Sequence, residues 1–480
     1  MIRPAKSAAA LLLAFAAASS ALTLEEALGS VEEAPTLRAA KAQLESDRRK
    51  TSAANANFLP QVEFKGSWTY LDRTLEMDLN ELRGALIQLQ TNDALERAKI
   101  QAAMAGATLA PEQQQAIAQS AAAQLDAAIP PFVETLREQS RFDAELTVVQ
   151  PIFVGGKLLA ARGAAKGQEK RSNIALEQVR AERISTIAQT YINATLLRQA
   201  VELRRQGVES IERHVGQAEK LLAEGMIERT QLLRAQLALS TAQADLEAEE
   251  GRYATALQAL RIWTGRDDEP TDTLRDVPLP WDSASAQDAV FKRNLKALEI
   301  EAIRSQLDEK SAAQRGQMLP TVAAFGSWQI LPRELSALEP RWAAGVQVRM
   351  PIFSGGKDWS EWKSAKSEGE RVEQLGAAWN EGLRVMVLQS WNKRVTAKNR
   401  WESLATSEKL AEETLNNFEK RFAAGMATSL DVVDARIQLD QARLGRLKSL
   451  GDMALASIEI LSLANETTRL PQLWNQGANE

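Results

Sequence analysis

The chain has 480 residues and a formal net charge of −5, and it contains no cysteine and a single histidine. The lack of cysteine excludes a disulfide framework and a lipid-attachment cysteine, and together with the single histidine it removes the usual zinc sites and most hydrolytic and redox mechanisms. The mildly acidic charge argues against nucleic-acid binding, so we predict that the protein is not an enzyme and uses no nucleic acid, metal or cofactor.

Residues 1–21 have the pattern of a secretory signal peptide. Arg3 and Lys6 precede the apolar run Ala8–Ala18, and small residues follow up to Ala21, where cleavage is expected. An uncleaved membrane anchor is the alternative, but the run is short and alanine-rich for a helix that spans a bilayer. No later stretch offers eighteen consecutive apolar residues, so the sequence predicts that any membrane span is a β-strand.

Leu24 to Asn57 is predicted to be the first helix of the mature chain. Its apolar residues recur at three-to-four spacing, which is the period of a helix with one buried face. Thr23 and Glu26 have the spacing of a capping box at its start, and Pro35 is expected to break or kink it shortly afterwards.

Four segments alternate between apolar and polar side chains, as strands with one apolar face do. They cover residues 58–70, 142–152, 319–330 and 341–352. Each has about the ten residues that a tilted strand needs to cross a bilayer. We therefore predict four membrane strands in each chain.

The first two strands are separated by an insertion, residues 71–141, where the last two are joined by residues 331–341. The insertion contains predicted helical stretches at 79–105 and 111–129. It joins the strands at the end away from the long helices, so we expect it to be extracellular. A helical cap without a specific ligand is one interpretation, and a receptor or mouth-gating segment is the other.

The second strand of each pair is followed by a long run without proline, at 156–224 and 356–424. A shorter helical segment follows each run, at 230–263 and 428–464. Their apolar residues have coiled-coil-like spacing, and we expect two helical hairpins that pack side by side rather than around a globular core.

A tight turn is predicted at the tip of each hairpin. Gly225 and Gly425 stand where a helix ends on a left-handed residue, and each is followed by methionine, Met226 and Met426. Thr428, with an aspartate three places later, has the spacing of a capping box for the outgoing second helix.

The markers recur in order, which indicates an internal duplication. We place the first repeat at 22–265, a proline-containing equatorial link at 266–288, the second repeat at 289–465 and a C-terminal tail at 466–480. The recurring markers are Leu59-Pro60 with Leu319-Pro320, Pro151-Ile152-Phe153 with Pro351-Ile352-Phe353, Gly155-Gly156 with Gly355-Gly356, and the turns at Gly225 and Gly425.

Four strands cannot close a membrane barrel by themselves. An open sheet edge in lipid would leave unpaired backbone groups at a cost of several kcal/mol each. The chain is therefore predicted to oligomerise in the bilayer. Closed barrels of this kind begin at eight strands, so a dimer and a trimer are both allowed.

This order of duplicated elements resembles the TolC family of outer-membrane efflux proteins over essentially the whole mature chain. The resemblance is carried by the proline and glycine markers listed above, taken together and in order. It implies an α+β membrane protein with four β-strands and long α-helical hairpins per chain in two structural repeats. A homotrimer in contact with outer-membrane lipid would form a 12-stranded outer-membrane β-barrel continued by a periplasmic α-helical barrel.

The resemblance also implies a function. The protein would be a passive outer-membrane export duct of a tripartite efflux or type I secretion system, opened by a periplasmic adaptor and energised by an inner-membrane pump. The tips at Gly225-Met226 and Gly425-Met426 would contact the adaptor. A periplasmic or surface coiled-coil scaffold or adhesin without a pore is the alternative from a different class.

The resemblance assigns Asp431, Asp434, Thr230 and Phe422 to the pore constriction. Some members have tyrosine at the position of Phe422 and a gate-closing arginine at the position of Ala427, so this chain departs from the family there. From the residues alone, Asp431 is expected to cap its helix and Asp434 to be solvated. The two lie three residues apart on one helix face.

Two further interpretations concern single residues and turns. The only histidine, His214, is expected to be a surface or interhelix residue rather than a catalyst. Pro151 and Pro351, together with the Gly-Gly pairs that follow them, are assigned to the turns from strand to helix.

Overall fold

The structure is a computed structural model that describes residues 22–331 and 340–477, apart from the side chain of Arg137. The predicted signal peptide therefore lies outside the described residues, as does most of the short connection at 331–341. The last three residues of the predicted tail are outside them as well.

Helices dominate the described chain, and the ends of those that were delimited from the sequence agree with the prediction to within a few residues. The break before Pro35 is present, because a short 3₁₀ turn separates α1 from α2. The helices are α1 Leu24–Gly29, α2 Pro35–Ala56, α3 Asn80–Met104, α4 Pro111–Ala128, α5 Lys157–Ala223, α6 Arg229–Thr264, α7 Ser283–Arg293, α8 Leu295–Gly316, α9 Lys357–Ala423, α10 Ser429–Leu463 and α11 Leu470–Gln476. No helix in these ranges is both long enough and apolar enough to cross a membrane. No bounds were predicted for α7, α8 and α11.

Six strands in the described residues form two antiparallel sheets. The larger sheet contains the four predicted strands, and the smaller one was not predicted. The strands are β1 Gln61–Tyr70, β2 Leu75–Asp78, β3 Val133–Arg137, β4 Ser140–Val154, β5 Thr321–Gln329 and β6 Trp342–Arg349. The predicted start of the first strand at 58 was wrong, because residues 58–60 form a turn, whereas β4 runs two residues beyond its predicted end.

The chain divides into two compact units, and the first consists of residues 55–158 and 315–358. Its larger sheet has the strand order β1-β4-β5-β6, so strands from the two repeats pair at its centre. Within the described residues, β1 and β6 each pair on one side only. The predicted apolar face of β1 is exposed in the single chain, with Val62, Phe64, Trp68 and Tyr70 on it.

The small sheet, β2 with β3, stands at the base of the insertion. Its strands have four and five residues, and their partners lie more than fifty residues away in the sequence. Such short strands are stabilised by pairing rather than by a local pattern, which is why the sequence did not reveal them.

Within the described residues, the second unit consists of residues 22–54, 159–314 and 359–477 and contains most of the helices. Its described part has a large apolar core made by α1, α2, α5, α6, α10, α11 and the link. The expectation of hairpins without a globular core was therefore wrong. A single carboxylate joins these distant segments: Asp272 accepts hydrogen bonds from the Tyr191 hydroxyl at 2.7 Å, the Leu24 N–H at 3.0 Å and the Trp474 indole at 3.2 Å.

The prolines that precede the two Gly-Gly pairs lie at different places in their strands, whereas the glycines have the same conformation. Pro151 lies inside β4, where the register with β5 shifts, whereas Pro351 follows the end of β6. β4 continues to Val154, so Pro151 lies before the turn, where the bulge accommodates a residue without an N–H. The Gly-Gly turns are confirmed: Gly155, Gly156, Gly355 and Gly356 all have φ between 64° and 79°.

Gly155 and Gly355 offer a matched test of these turns. Alanine at either position would strain a left-handed backbone by about 1–2 kcal/mol. At Gly155 the added methyl group would also collide with the carbonyl oxygen of Gly316, whereas at Gly355 it meets no described atom within 4 Å. We expect Gly155→Ala to lower the unfolding temperature of the purified protein more than Gly355→Ala does. Equal shifts would contradict the close approach of Gly155 to Gly316.

Candidate functional site at the hairpin tips

The tips of the two helical hairpins are built by the same backbone motif. Met226 donates its N–H to the carbonyl of Leu221, and Gly225 donates to Leu222, at 2.8 and 3.0 Å. Met426 and Gly425 make the equivalent bonds in the second repeat. With φ near 70° at both glycines, these are Schellman turns, as the sequence predicted.

The outgoing helix of the second tip is capped, which confirms the predicted capping box. Thr428 accepts from the N–H of Asp431, and the Asp431 carboxylate accepts from the N–H and the hydroxyl of Thr428, both at 2.7 Å. These bonds to the backbone and hydroxyl of Thr428 lower the pKa of Asp431 below its usual value. Asp431 is therefore ionised at neutral pH and anchors the first turn of α10.

The first tip lacks this reciprocal cap. Glu228 occupies the N-cap position of α6 without a side-chain capping bond. Thr230 is exposed, and its hydroxyl donates to the Glu228 carboxylate at 3.2 Å. The two tips thus share their turns and differ in how the outgoing helix begins.

An apolar cluster joins all four helices at the tips. The other residues that were predicted to function there differ in burial. Phe422, which the family resemblance assigns to the pore constriction, is fully buried and packs inside the cluster. Asp434, Met226 and Met426 are exposed. The buried members of this tip cluster are Val215, Ala218, Leu221, Ala235, Leu415, Phe422, Val432, Ala435 and Leu439.

A polar contact inside the tip cluster was not predicted. The Nε2 atom of His214 lies 2.8 Å from the Ser429 hydroxyl, and its ring centroid lies 4.6 Å from that of Phe422. Ser429, the first residue of α10, donates its N–H to the amide oxygen of Gln231 at 3.1 Å. These contacts connect the first hairpin to the second at the start of α10.

His214 is 5% exposed, so it is an interhelix residue and not a surface residue. Burial lowers its pKa to about 4, and the imidazole is neutral at physiological pH. A signal for this position was present in the sequence, because His214 precedes Ala218 and Leu221 by four and seven residues and so lies on the same apolar stripe. Its partner Ser429 could not be identified from that spacing.

Comparison with known proteins places both repeats in one family. A profile of the family described as outer membrane efflux protein matches residues 94–266 and 290–466. The cobalt-zinc-cadmium resistance protein CzcC of Cupriavidus metallidurans is 24% identical over 340 residues, which cover 69% of this chain and 79% of that protein. The outer membrane efflux protein BepC of Brucella suis is 22% identical over 325 residues, or 63% and 70% of the two chains.

The fold has a counterpart among solved structures. The crystal structure of the outer membrane protein VceC from Vibrio cholerae superposes with a TM-score of 0.69 at 14% identity. The alignment covers 92% of this chain and 96% of that one. Strands and helical hairpins are therefore arranged as in an outer membrane protein of known structure.

Thr428→Ala is expected to destabilise the second tip by about 1 kcal/mol, because it removes the N-cap bond to Asp431. Hydrogen exchange at the first turn of α10 should accelerate, and the unfolding temperature should fall slightly. Thr230→Ala is the matched control, since the Thr230 hydroxyl bonds only an exposed carboxylate in the described residues. The same acceleration of exchange in α6 for the control would argue against a special role of the capping box.

Stability should also depend on the protonation of His214. The unfolded chain takes up a proton as the pH falls through about 6.5, whereas the folded chain resists protonation until about pH 4. The free energy of unfolding should therefore fall as the pH is lowered through this window, by roughly 3 kcal/mol per chain at its lower end.

His214→Gln provides the control for this pH dependence, because no other histidine is present in the sequence. The variant cannot gain a charge at residue 214 in this window. Above the pH range in which carboxylates titrate, its free energy of unfolding should therefore no longer fall as the pH is lowered. Unfolding temperatures measured between about pH 7.5 and 5.5 make the comparison. Parallel slopes for the two proteins would show that His214 is not buried as described.

Proposed function

The chain belongs to the outer membrane efflux protein family, and from this membership we propose that three copies of it form a passive export duct driven by other proteins. As an efflux protein of the outer membrane it is not a scaffold or an adhesin, and members of the family are channels rather than enzymes. The observation that carries the proposal is the match of both repeats to the family, over segments that each include a complete helical hairpin.

The four-stranded sheet supports assembly into a homotrimer. β1 and β6 each have one neighbour within the described chain, and a strand edge in lipid requires a partner for its backbone groups. Pairing β1 of one chain with β6 of the next supplies that partner. Three chains would then close a barrel of twelve strands in the outer membrane, and their long helices would form a tunnel in the periplasm.

The hairpin tips are the proposed contact with a periplasmic adaptor. Met226 and Met426 are 52% and 66% exposed, each held by a Schellman turn. Methionine is a flexible apolar side chain that suits a protein–protein contact. The duct has no energy source of its own, so an inner-membrane pump would drive transport through the adaptor.

The proposed entrance is lined by Asp431, Asp434 and Thr230. Asp431 is held ionised by its capping bonds, and Asp434 is exposed one turn later on the same face. Around a threefold axis these positions would bring six carboxylates together, which favours cations in the lumen. Because one relative is a cobalt-zinc-cadmium resistance protein, metal cations are the first cargo to test.

Opening would require the two hairpins of a chain to separate at their tips. The bonds from His214 and Gln231 to Ser429 hold the hairpins together there. An adaptor that binds the exposed methionines more tightly when the hairpins are apart would shift the equilibrium toward the open entrance. The buried apolar cluster beneath the contact sets the free energy that such binding must supply.

Single-channel recording in a planar bilayer tests this function, with Asp434→Asn as the variant. Asparagine removes the charge and leaves the Thr428–Asp431 cap in place. We expect the wild-type trimer to pass cations in preference to anions and the variant to lose much of that preference, measured as a shift of the reversal potential under a salt gradient.

Asp452→Asn is the matched control for the recording. Asp452 is also exposed and lies eighteen residues further along α10, five helical turns from Asp434 and on the same face. Selectivity should be unchanged in this control if the entrance is at the tips. Equal losses in both variants would contradict a selective region confined to the tips, and a trimer that never conducts, even with its adaptor, would contradict the duct.

A further inference from the structure

The insertion between β1 and β4 is an ordered helical arm. At its base β2 pairs with β3, and Leu79 donates its N–H to the carbonyl of Phe132 at 2.8 Å. The largely buried guanidinium of Arg83 donates to the carbonyl of Ile129 at 2.9 Å and pairs with Asp126 at 2.7 Å. This clamp holds α3 beside α4 and determines which face of α3 is directed away from it.

The two faces of α3 differ in burial. The face that packs on α4 is half-buried or buried and includes Arg83, Ile87, Thr91, Ala94, Ala98 and Ala102. Another side of the helix carries a stripe of leucines that the described chain leaves uncovered: Leu79 at the N-cap and Leu82, Leu86 and Leu89 on α3 are 40%, 63%, 39% and 69% exposed. We call these four residues the leucine stripe. Contiguous apolar surface of this kind marks an interaction site.

The spacing within the leucine stripe identifies the kind of partner. Successive leucines are three, four and three residues apart, which are the a and d positions of two heptads. Such a seam is complementary to another copy of itself, because each leucine fits between residues of the facing helix. Asp93 and Glu96 continue the pattern, and each is paired on its own helix, with Arg97 and Lys99 respectively, at 2.8 Å. These pairs reduce repulsion between copies.

Other surfaces of the chain are less suitable than α3 as partners for the leucine stripe. The outward face of α4 carries exposed glutamines, including Gln115 and Gln119. The second repeat has only residues 331–341 in place of the insertion, so each chain brings one leucine stripe. Two heptads alone are too short to associate in water, but a trimer would hold three of them at an effective concentration in the millimolar range.

We propose that the α3 helices of three chains pack against one another through the leucine stripe and form a three-helix cap. This inference rests on the trimer of the proposed function. It assigns the insertion a self-association role that the second repeat does not share. The partner is a second and a third copy of this chain, and burial of the leucines in lipid is the alternative that the experiment must distinguish.

The absence of native cysteine permits a direct test by single-cysteine cross-linking of the full-length protein. Leu89→Cys, treated with a short bis-maleimide in the purified detergent-solubilised trimer, should give a strong covalent dimer band. One link between two of the three chains accounts for that band. Gln119→Cys is the control, because it lies on the exposed face of α4, nine residues from the base of the arm, as Leu89 does on α3.

The possible results distinguish failure of the three-helix cap from failure of the trimer on which the cap depends. Particle mass, measured before cross-linking, establishes whether the protein is a trimer, and any other mass overturns both. In a confirmed trimer, no dimer from Leu89→Cys, or equal dimer from the two variants, overturns the cap alone and would fit leucines buried in lipid. Leu82→Gln added to Leu89→Cys should reduce the dimer severalfold, and an unchanged yield would show that the leucines do not hold the helices together.

Discussion

The constraint on which the whole structure depends is that the backbone groups of a strand in lipid need hydrogen-bond partners. One chain supplies four strands and leaves one edge of β1 and one edge of β6 unpaired in its described part. More copies of the chain are the simplest source of partners. Chains that pair through their strands would also bring their long helices together, and each chain would then contribute two helical hairpins to a shared periplasmic tunnel.

Much of the fold could be predicted because its signals are local. A left-handed glycine ends a helix whatever surrounds it, and Gly225 and Gly425 do so with φ of 72° and 70°. The cap made by Thr428 and Asp431 needs only four consecutive residues. Strand alternation and proline-free runs are equally local, so the predicted elements differ from the observed ones by only a few residues at their ends.

What could not be predicted depends on residues far apart in the sequence. Asp272 joins Leu24, Tyr191 and Trp474, and no periodicity connects those positions. The contact of His214 with Ser429 joins two hairpins whose relative rotation is decided by packing. The burial of Phe422 depends on the same packing, because an aromatic ring beside an apolar cluster is stabilised by burial and its neighbours come from all four helices.

The equal length of the two long helices has an evolutionary consequence. α5 and α9 each contain 67 residues and begin and end two hundred positions apart. Losing one residue from either would shorten that helix by about 1.5 Å and rotate its tip by about 100° relative to its base, which would turn His214 or Phe422 out of the tip cluster. The two helices can therefore diverge freely by substitution, but an insertion or deletion survives only with compensation in the other repeat, so their lengths are inherited as a pair.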